Sequence, residues 1–224
     1  MKILVSAGEA SGDRYAAELD AELRKRLPEA EFFGCAGPRL REQGDRAVVR
    51  TESLAVVGIF EVVAHIPRIY GEFKKLLRAS TAEKPDLAIL TDAPDFNLRV
   101  AAKLRKQGVP IVYYVAPQVW AWRSWRVKKL RRLLDLLLCI FPFEQAWFNE
   151  RGVKTTFVGH PLTAVVEPTL DKSAFLRKHG LRNDQPILAI LPGSRRGEAD
   201  RHLPAVLGAV DILAGRHDLQ TVLP

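Results

Sequence analysis

The runs KILVSA, EFFGCA, LAILT, IVYYV and LLLCIF are apolar at consecutive positions, not at alternating ones. A strand of that kind has no side for water, so both of its faces must be covered. Between the runs lie stretches with helical periodicity. DRYAAELDAELRKRL places Tyr15, Ala16, Leu19, Leu23 and Leu27 on one face. PRLREQG reads as a short helix stopped by Gly44, and FNLRVAAKLRKQG as a helix closed by Gly108 at its C-terminal cap. GIFEVVAHIPRIYGEFKKLLRA is helical, with Pro67 as its start or a kink. SWRVKKLRRLL and FEQAWFNERG are further helices, and TTFVG a further strand. Buried strands alternating with helices specify an α/β fold with a doubly wound parallel sheet.

The rhythm breaks near position 160, in GHPLTAVVEPTLDKSAFLRKHGL. It restarts with ILAILPGS as a strand, ADRHLPAVLGAVDILAGR as a helix and QTVLP as a strand. Two strands and one full helix cannot build a complete sheet or core. The organisation expected is a Rossmann-like domain over 1–165 and an incomplete second Rossmann-like domain over 166–224.

Composition narrows the function. The 224 residues carry a net charge of +8, which favours anionic partners such as phosphate esters, acidic lipid or nucleic acid. Cys35 and Cys139 lie far apart inside apolar runs and read as small buried hydrophobes, not a disulfide or a metal site. The apolar part of MKILVSAGEASGD is too short for a signal peptide, and no stretch reaches the length of a membrane span. The expected compartment is the cytosol, with attachment to a membrane surface left open.

In open α/β sheets ligands bind beyond the carboxyl ends of the strands. Four stretches fall there: SAGEASGD, TDAPDFN, VAPQVWAWR and LPGSRRGE. Gly8 and Gly12 in the first allow a tight turn that brings backbone N–H groups and a helix N-terminus close to a ligand, while Ser11 and Asp13 there are also suited to be caps. The spacing is not G-x-G-x-x-G, so it does not specify a dinucleotide. Asp95 follows Pro94 ahead of a helix and suits an N-cap. Asp92 stands at the strand's end, where a carboxylate can take a proton from a substrate hydroxyl or simply bind nearby backbone N–H groups. Gly193, Ser194 and Arg195, with Arg196 behind them, fit either a phosphate cradle or a capped turn with solvated arginines. Trp120, Trp122 and Trp125 alternate with Arg123, Arg126, Lys128, Lys129, Arg131 and Arg132. That pattern fits stacked bases, a membrane interface, or one core tryptophan beside a solvated basic face. Phe60, Val62, Val63, Ile66, Ile69 and Tyr70 form a helical apolar stripe of the kind that is ordinarily core. His160 in GHP reads as a structural hinge residue, not a metal ligand.

SAGEASGD, GCAGPRL, LAVVGIFEVV, DAPDFN, YYVAPQVWAWR, PFE, FVGHPL and LPGSRRGE, in that order, resemble the lipid-A-disaccharide synthase family over almost the whole chain. The resemblance implies an inverting, metal-independent glycosyltransferase of the GT-B type, with two Rossmann-like domains. It implies transfer from UDP-2,3-diacylglucosamine to 2,3-diacylglucosamine 1-phosphate through a β-1,6 bond with release of UDP. No cofactor is expected, and no nucleic acid. The expected place is the anionic inner face of the inner membrane of Gram-negative bacteria, in lipid A and lipopolysaccharide synthesis. The resemblance gives Asp92 the role of general base and Asp95 a structural role, with Asn97 as a substrate contact. Glu9 and Ser11 become the first ligand loop, and Arg195 the partner of the UDP diphosphate. The stripe from Phe60 to Tyr70 becomes a membrane- or acyl-chain-facing patch. Family members continue past position 224, so the donor domain is expected to be incomplete, the part present inactive alone, and a homodimer open only to the longer chain. A UDP-sugar epimerase would share the two-domain plan without needing a lipid-facing helix. A nucleic-acid-binding protein would account for the basic tryptophan-rich stretch but not for the loops at the sheet's edge.

Overall fold

A computed structural model describes the backbone of residues 1–54, 59–164, 166–193 and 196–224, with side chains described there except at 59–65, 164 and 196. The chain divides into two compact units, Met1–Val165 and Val166–Pro224.

The first unit contains β1 (Lys2–Ala7), α1 (Ala10–Arg26), β2 (Glu31–Ala36), α2 (Pro38–Glu42), β3 (Arg46–Arg50), α3 (Ile59–Glu83), β4 (Leu87–Thr91) and α4 (Pro94–Leu104). It continues with β5 (Ile111–Tyr114), α5 (Val119–Trp122), α6 (Val127–Leu133), β6 (Leu136–Cys139), α7 (Pro142–Asn149) and β7 (Thr155–Phe157). The seven strands form one sheet, in the order β3-β2-β1-β4-β5-β6-β7, and every pairing is parallel. This is the doubly wound sheet expected from the apolar runs. The order reverses between β1 and β4, which makes their carboxyl ends the topological switch point.

Alternation along β1 sorts the core into two layers. Ile3, Val5 and Ala7 belong to a cluster with Ala16 and Ala17 of α1 and Leu40 of α2. Leu4 belongs to the other, with Leu76 of α3, Leu98, Val100, Ala101 and Leu104 of α4, and Leu130 of α6. Cys35 and Cys139 are buried and unpaired, and burial pushes the Cys35 thiol up to about 12. Trp120 is half-buried and donates from Nε1 to Glu144 at 3.0 Å, while Trp122 and Trp125 are exposed beneath Arg123 and Arg126. One tryptophan in the core and two outside is the division allowed by the sequence.

Several local expectations change. The first helix begins at Ala10, so Ser11 and Gly12 lie inside its first turn and neither Ser11 nor Asp13 caps it. Asp13 instead caps α2 from a distance, accepting from Gly37 N at 2.8 Å, Arg39 N at 2.8 Å and Leu40 N at 3.3 Å. Strand β3, the arginine-flanked RAVVR, was not among the expected strands. Pro67 lies within α3.

The second unit holds α8 (Lys172–His179), β8 (Ile187–Ala189), α9 (Arg196–Ala214) and β9 (Gln220–Val222), with β8 and β9 parallel. Helix α8 falls where the sequence rhythm is broken by prolines. Asp171 caps it by accepting from Ala174 N at 2.7 Å, and Gly180 ends it at φ +64°. Leu191, Leu207, Ile212 and Leu223 are exposed.

Gly34 tests the close approach of β1 and β2. Its φ is +151°, and a Cβ there would stand 1.9 Å from the Val5 carbonyl oxygen. A main-chain oxygen fixed in the sheet cannot yield, so Gly34→Ala should destabilise the first unit by about 3 kcal/mol or more. A urea melt with an unchanged midpoint would show that the two strands separate freely.

Candidate active site

The carboxyl ends of β1 and β4 are tied together by one buried side chain. Asn97, in the second turn of α4, is fully buried. Its Oδ1 accepts from Ser6 Oγ at 2.7 Å, and its Nδ2 faces the carbonyls of Thr91 at 2.9 Å, Asp92 at 3.0 Å and Ser6 at 3.2 Å. The Tyr113 hydroxyl, reaching from β5, also donates to the Asp92 carbonyl. These bonds hold Asp92 and Ala93 at φ +50° and +37°. Such backbone costs about 1–3 kcal/mol per residue outside glycine and persists only where its surroundings impose it.

The turn fixed in this way aims the Asp92 side chain at the start of α1. Its Oδ1 accepts from Gly8 N at 3.0 Å, and its Oδ2 is buried without a hydrogen-bond partner. Gly8 and Gly12 leave the space. A Cβ on Gly12 would stand 1.8 Å from Asp92 Oδ2, and one on Gly8 2.3 Å from the Ala93 Cβ. The glycines do bring a helix N-terminus close to an anion, as their pattern suggested, but the anion is the chain's own carboxylate. Burial and then the Glu9 charge raise the Asp92 carboxyl to about 7, against the opposing pull of the Gly8, Gly12 and Glu9 backbone N–H groups. A carboxyl with an affinity for protons near neutrality is suited to general-base work.

The other expected site residues are placed as follows. Glu9 occupies the N-cap position of α1 and Ser11 its first turn, both exposed beside Asp92's loop. Asn97 is not a substrate contact. With no exposed surface, and both ends of its amide engaged, it positions the Asp92 loop. Asp95 is not an N-cap either. Ala93, in the left-handed conformation, is the cap residue and Pro94 the first helical one, so Asp95 is drawn inside the first turn. Its exposed carboxylate pairs with Arg126 and, at 3.3 Å, with Arg123. Burial alone would raise it, but the two arginines hold Asp95 below its ordinary range. Gly193 is exposed at φ +135°, and Ser194 and Arg195 lie outside the described residues. Ile66 and Tyr70 are each 54% exposed and Ile69 is half-buried. Phe60, Val62 and Val63 belong to α3, and their side chains lie outside the described residues. His160 accepts from Leu162 N at 3.2 Å and packs on Phe141. Among the described residues no helix is long and apolar enough to cross a membrane.

The sequence pattern of the lipid-A-disaccharide synthetase family matches residues 3–224. The chain belongs to that family. It is 60% identical over 223 residues to the lipid-A-disaccharide synthase of Solibacter usitatus, covering 100% of this chain and 58% of that protein. The enzyme of the same description from Myxococcus xanthus is 49% identical, with the same 100% and 58% coverage. The chain therefore spans about three-fifths of the length of these relatives. Among solved structures, a UDP-GlcNAc 2-epimerase from Neisseria meningitidis, bound to UDP-GlcNAc, superposes with a TM-score of 0.65 at 13% identity, covering 100% of this chain and 66% of that one. That likeness is one of fold alone. It agrees with the GT-B type α/β class of the family and does not make this chain an epimerase.

The raised carboxyl makes a prediction about stability. Asp92 binds its proton more tightly when folded than its ordinary value of 3.8 allows. Its contribution is therefore fully present below pH 4 or so and is lost as pH rises through about 7. Asp92→Asn removes the charge while keeping an acceptor for Gly8 N. The variant should melt higher than the wild type at pH 8, and the difference should vanish toward pH 4. An equal or lower melting temperature at pH 8 would show that Asp92 ionises without penalty.

Proposed function

We propose that the chain supplies the acceptor-side, base-bearing part of a lipid-A-disaccharide synthase, with residues 1–165 as the acceptor and membrane-facing domain and 166–224 as the beginning of the UDP-sugar-binding domain. The reaction joins UDP-2,3-diacylglucosamine to 2,3-diacylglucosamine 1-phosphate. The observation that carries this reading is the Asp92 carboxyl, raised to about 7 with an unpartnered Oδ2 at the switch point of the sheet. Asp92 takes the proton of the acceptor's 6-hydroxyl as that oxygen attacks the anomeric carbon of the donor. The bond from that carbon to the UDP oxygen breaks, UDP departs with the electron pair, and the new β-1,6 bond forms with inversion. Arg195 is assigned to the departing diphosphate on its motif, GSR, where a cation offsets the developing charge. Family membership and the basic net charge of +8 support anionic substrates.

In a chain of the relatives' full length carrying this sequence, Asp92→Asn should lower kcat by about two to four orders of magnitude. Wild-type kcat should fall as pH drops below about 7, because the base must be ionised to act. Asp95→Asn should leave that pH profile in place. A profile with no limb near neutrality, or equal losses in the two folded variants, would remove Asp92 from the role of base.

We further infer that α3 lies against the inner face of the inner membrane as a peripheral attachment. Ile66 and Tyr70 are exposed, Lys74 stands 4.5 Å from the centre of the Tyr70 ring, and Arg68 of the same helix is exposed. Each large apolar side chain inserted is worth about 1.5–3 kcal/mol, and each cation near anionic lipid about 1 kcal/mol. Changing Ile66, Ile69 and Tyr70 to serine should release the protein from anionic vesicles with little change in melting temperature. A folded variant that still sediments fully with the vesicles would refute the attachment.

A further inference from the structure

Asp95 and its two arginines form an unusual surface pair, because the cations and not the anion are the sheltered partners. The Arg126 side chain is 13% exposed and that of Arg123 33%, against 70% for Asp95. Each guanidinium also lies over an indole, Arg123 at 4.1 Å from the Trp122 ring and Arg126 at 5.3 Å from the Trp125 ring. Contact with an indole and with Asp95 restricts both forks, so less side-chain freedom remains to be lost on binding. The bookkeeping of charge is incomplete, since one carboxylate faces two guanidinium groups.

The wider neighbourhood deepens the imbalance. The Lys129 ammonium is pulled below its ordinary range by burial and then by Arg126, Arg99 and Arg132, with Asp95 as the opposing anion. Several cations thus converge on one exposed carboxylate at the start of α4. This start adjoins the reacting centre. Asp92 and Asp95 are separated by less than a helical turn of chain. The buried Tyr113 hydroxyl is raised by burial and by Asp92, Glu9 and Asp95, with Arg126 opposing. The Tyr113 hydroxyl, which donates to the Asp92 carbonyl, thus lies in the field of the Asp92 and Asp95 carboxylates and of Arg126.

We propose that Arg123 and Arg126, held by Asp95 and by the two tryptophans, bind the phosphate monoester of the sugar whose hydroxyl Asp92 deprotonates. The inference rests on the reading of Asp92 as the base of a glycosyl transfer to a sugar phosphate. A phosphate monoester presents three oxygens to two planar forks, and its charge of about −1.5 to −2 supplies what the single Asp95 carboxylate lacks. Phosphate at the arginines and hydroxyl at Asp92 would orient the sugar ring between two fixed points. Affinity for the acceptor, and its direction in the site, would then come from the first unit alone.

Binding can be tested without turnover by titrating the chain with glucosamine 1-phosphate and with glucosamine, followed by saturation-transfer NMR or calorimetry. The wild type should bind the phosphorylated sugar in preference to the free sugar. R123Q/R126Q should lose about tenfold or more of that binding, the worth of a lost charge-assisted hydrogen bond. Arg123→Gln alone provides the test if the double variant does not melt cooperatively. Equal affinity for the two sugars, or undiminished binding by the folded variant, overturns the proposal. So does a variant that loses only its binding to phosphatidylglycerol vesicles, because the arginines would then read bilayer phosphates. A transfer assay in neutral detergent with the full-length protein separates the premise from the inference. Absence of any transfer removes the glycosyl-transfer reading while the sugar-phosphate titration still decides the arginine site. With transfer present, R123Q/R126Q should raise KM for the phosphorylated acceptor and leave KM for an acceptor lacking phosphate unchanged.

Discussion

The amide of Asn97 closes the sheet where its strand order reverses. At that point β1 and β4 run side by side, and neither is followed by a residue that pairs with the other. Three carbonyls, from Ser6, Thr91 and Asp92, converge there on one buried amide. A carboxamide satisfies them with its N–H groups while its oxygen takes the Ser6 hydroxyl. A carboxylate of the same shape would offer no donor, and an aliphatic side chain would remove all four of these contacts, leaving the Asp92 carbonyl to the Tyr113 hydroxyl alone. The left-handed turn at Asp92 and Ala93 depends on this clamp, and the direction of the Asp92 carboxylate depends on the turn.

Asp92 and Asp95 then differ by environment and not by chemistry. The first is buried against a helix start, where backbone N–H groups favour its charge, but burial and the Glu9 carboxylate prevail and raise it to about 7. The second is exposed and surrounded by guanidinium groups that hold it low despite partial burial. Two carboxylates three residues apart are thereby pushed to opposite sides of their ordinary range, and such divergence is how one site can obtain distinct roles from one residue type. Gly8 and Gly12 belong to the same arrangement, because any side chain at Gly12 would displace the carboxylate.

The sheet was legible because parallel strands buried on both faces must be apolar at consecutive positions. Strand β3 escaped because it lies at the sheet's edge, where RAVVR needs only a short apolar centre. Helix α8 escaped behind prolines, although Asp171 and Gly180 mark its two ends in the sequence. The cap at α4 was misassigned because a left-handed alanine leaves no trace in residue type. The role of Asn97 did leave one. Asn97, Val100, Ala101 and Leu104 follow helical spacing and are all buried, so the asparagine stands on the apolar stripe of its own helix. Asp13 does the same ahead of Ala16, Ala17 and Asp20. A polar residue on a buried stripe must be matched by partners elsewhere in the fold: Asn97 finds them at the ends of β1 and β4, and Asp13 at the start of α2.

The groups gathered at the sheet's edge share a register. Ala7 pairs with Thr91, and Thr91 with Tyr114, so the three strands end level with one another. The segments that follow them carry Gly8 and Glu9, then Asp92 and Asp95, then the Trp122–Arg126 stretch. Because side chains alternate along a strand, a slip of one residue in β4 would turn its buried set to the opposite layer. It would also part Asp92 from Gly8 on one side and Asp95 from Arg126 on the other. The two apolar layers that oppose such a slip are therefore what keeps Asp92 and the arginines in place. In this fold the accuracy of the site is inherited from the packing of β1, β4 and β5, and the loops themselves need contribute only glycines, a proline and the charged side chains.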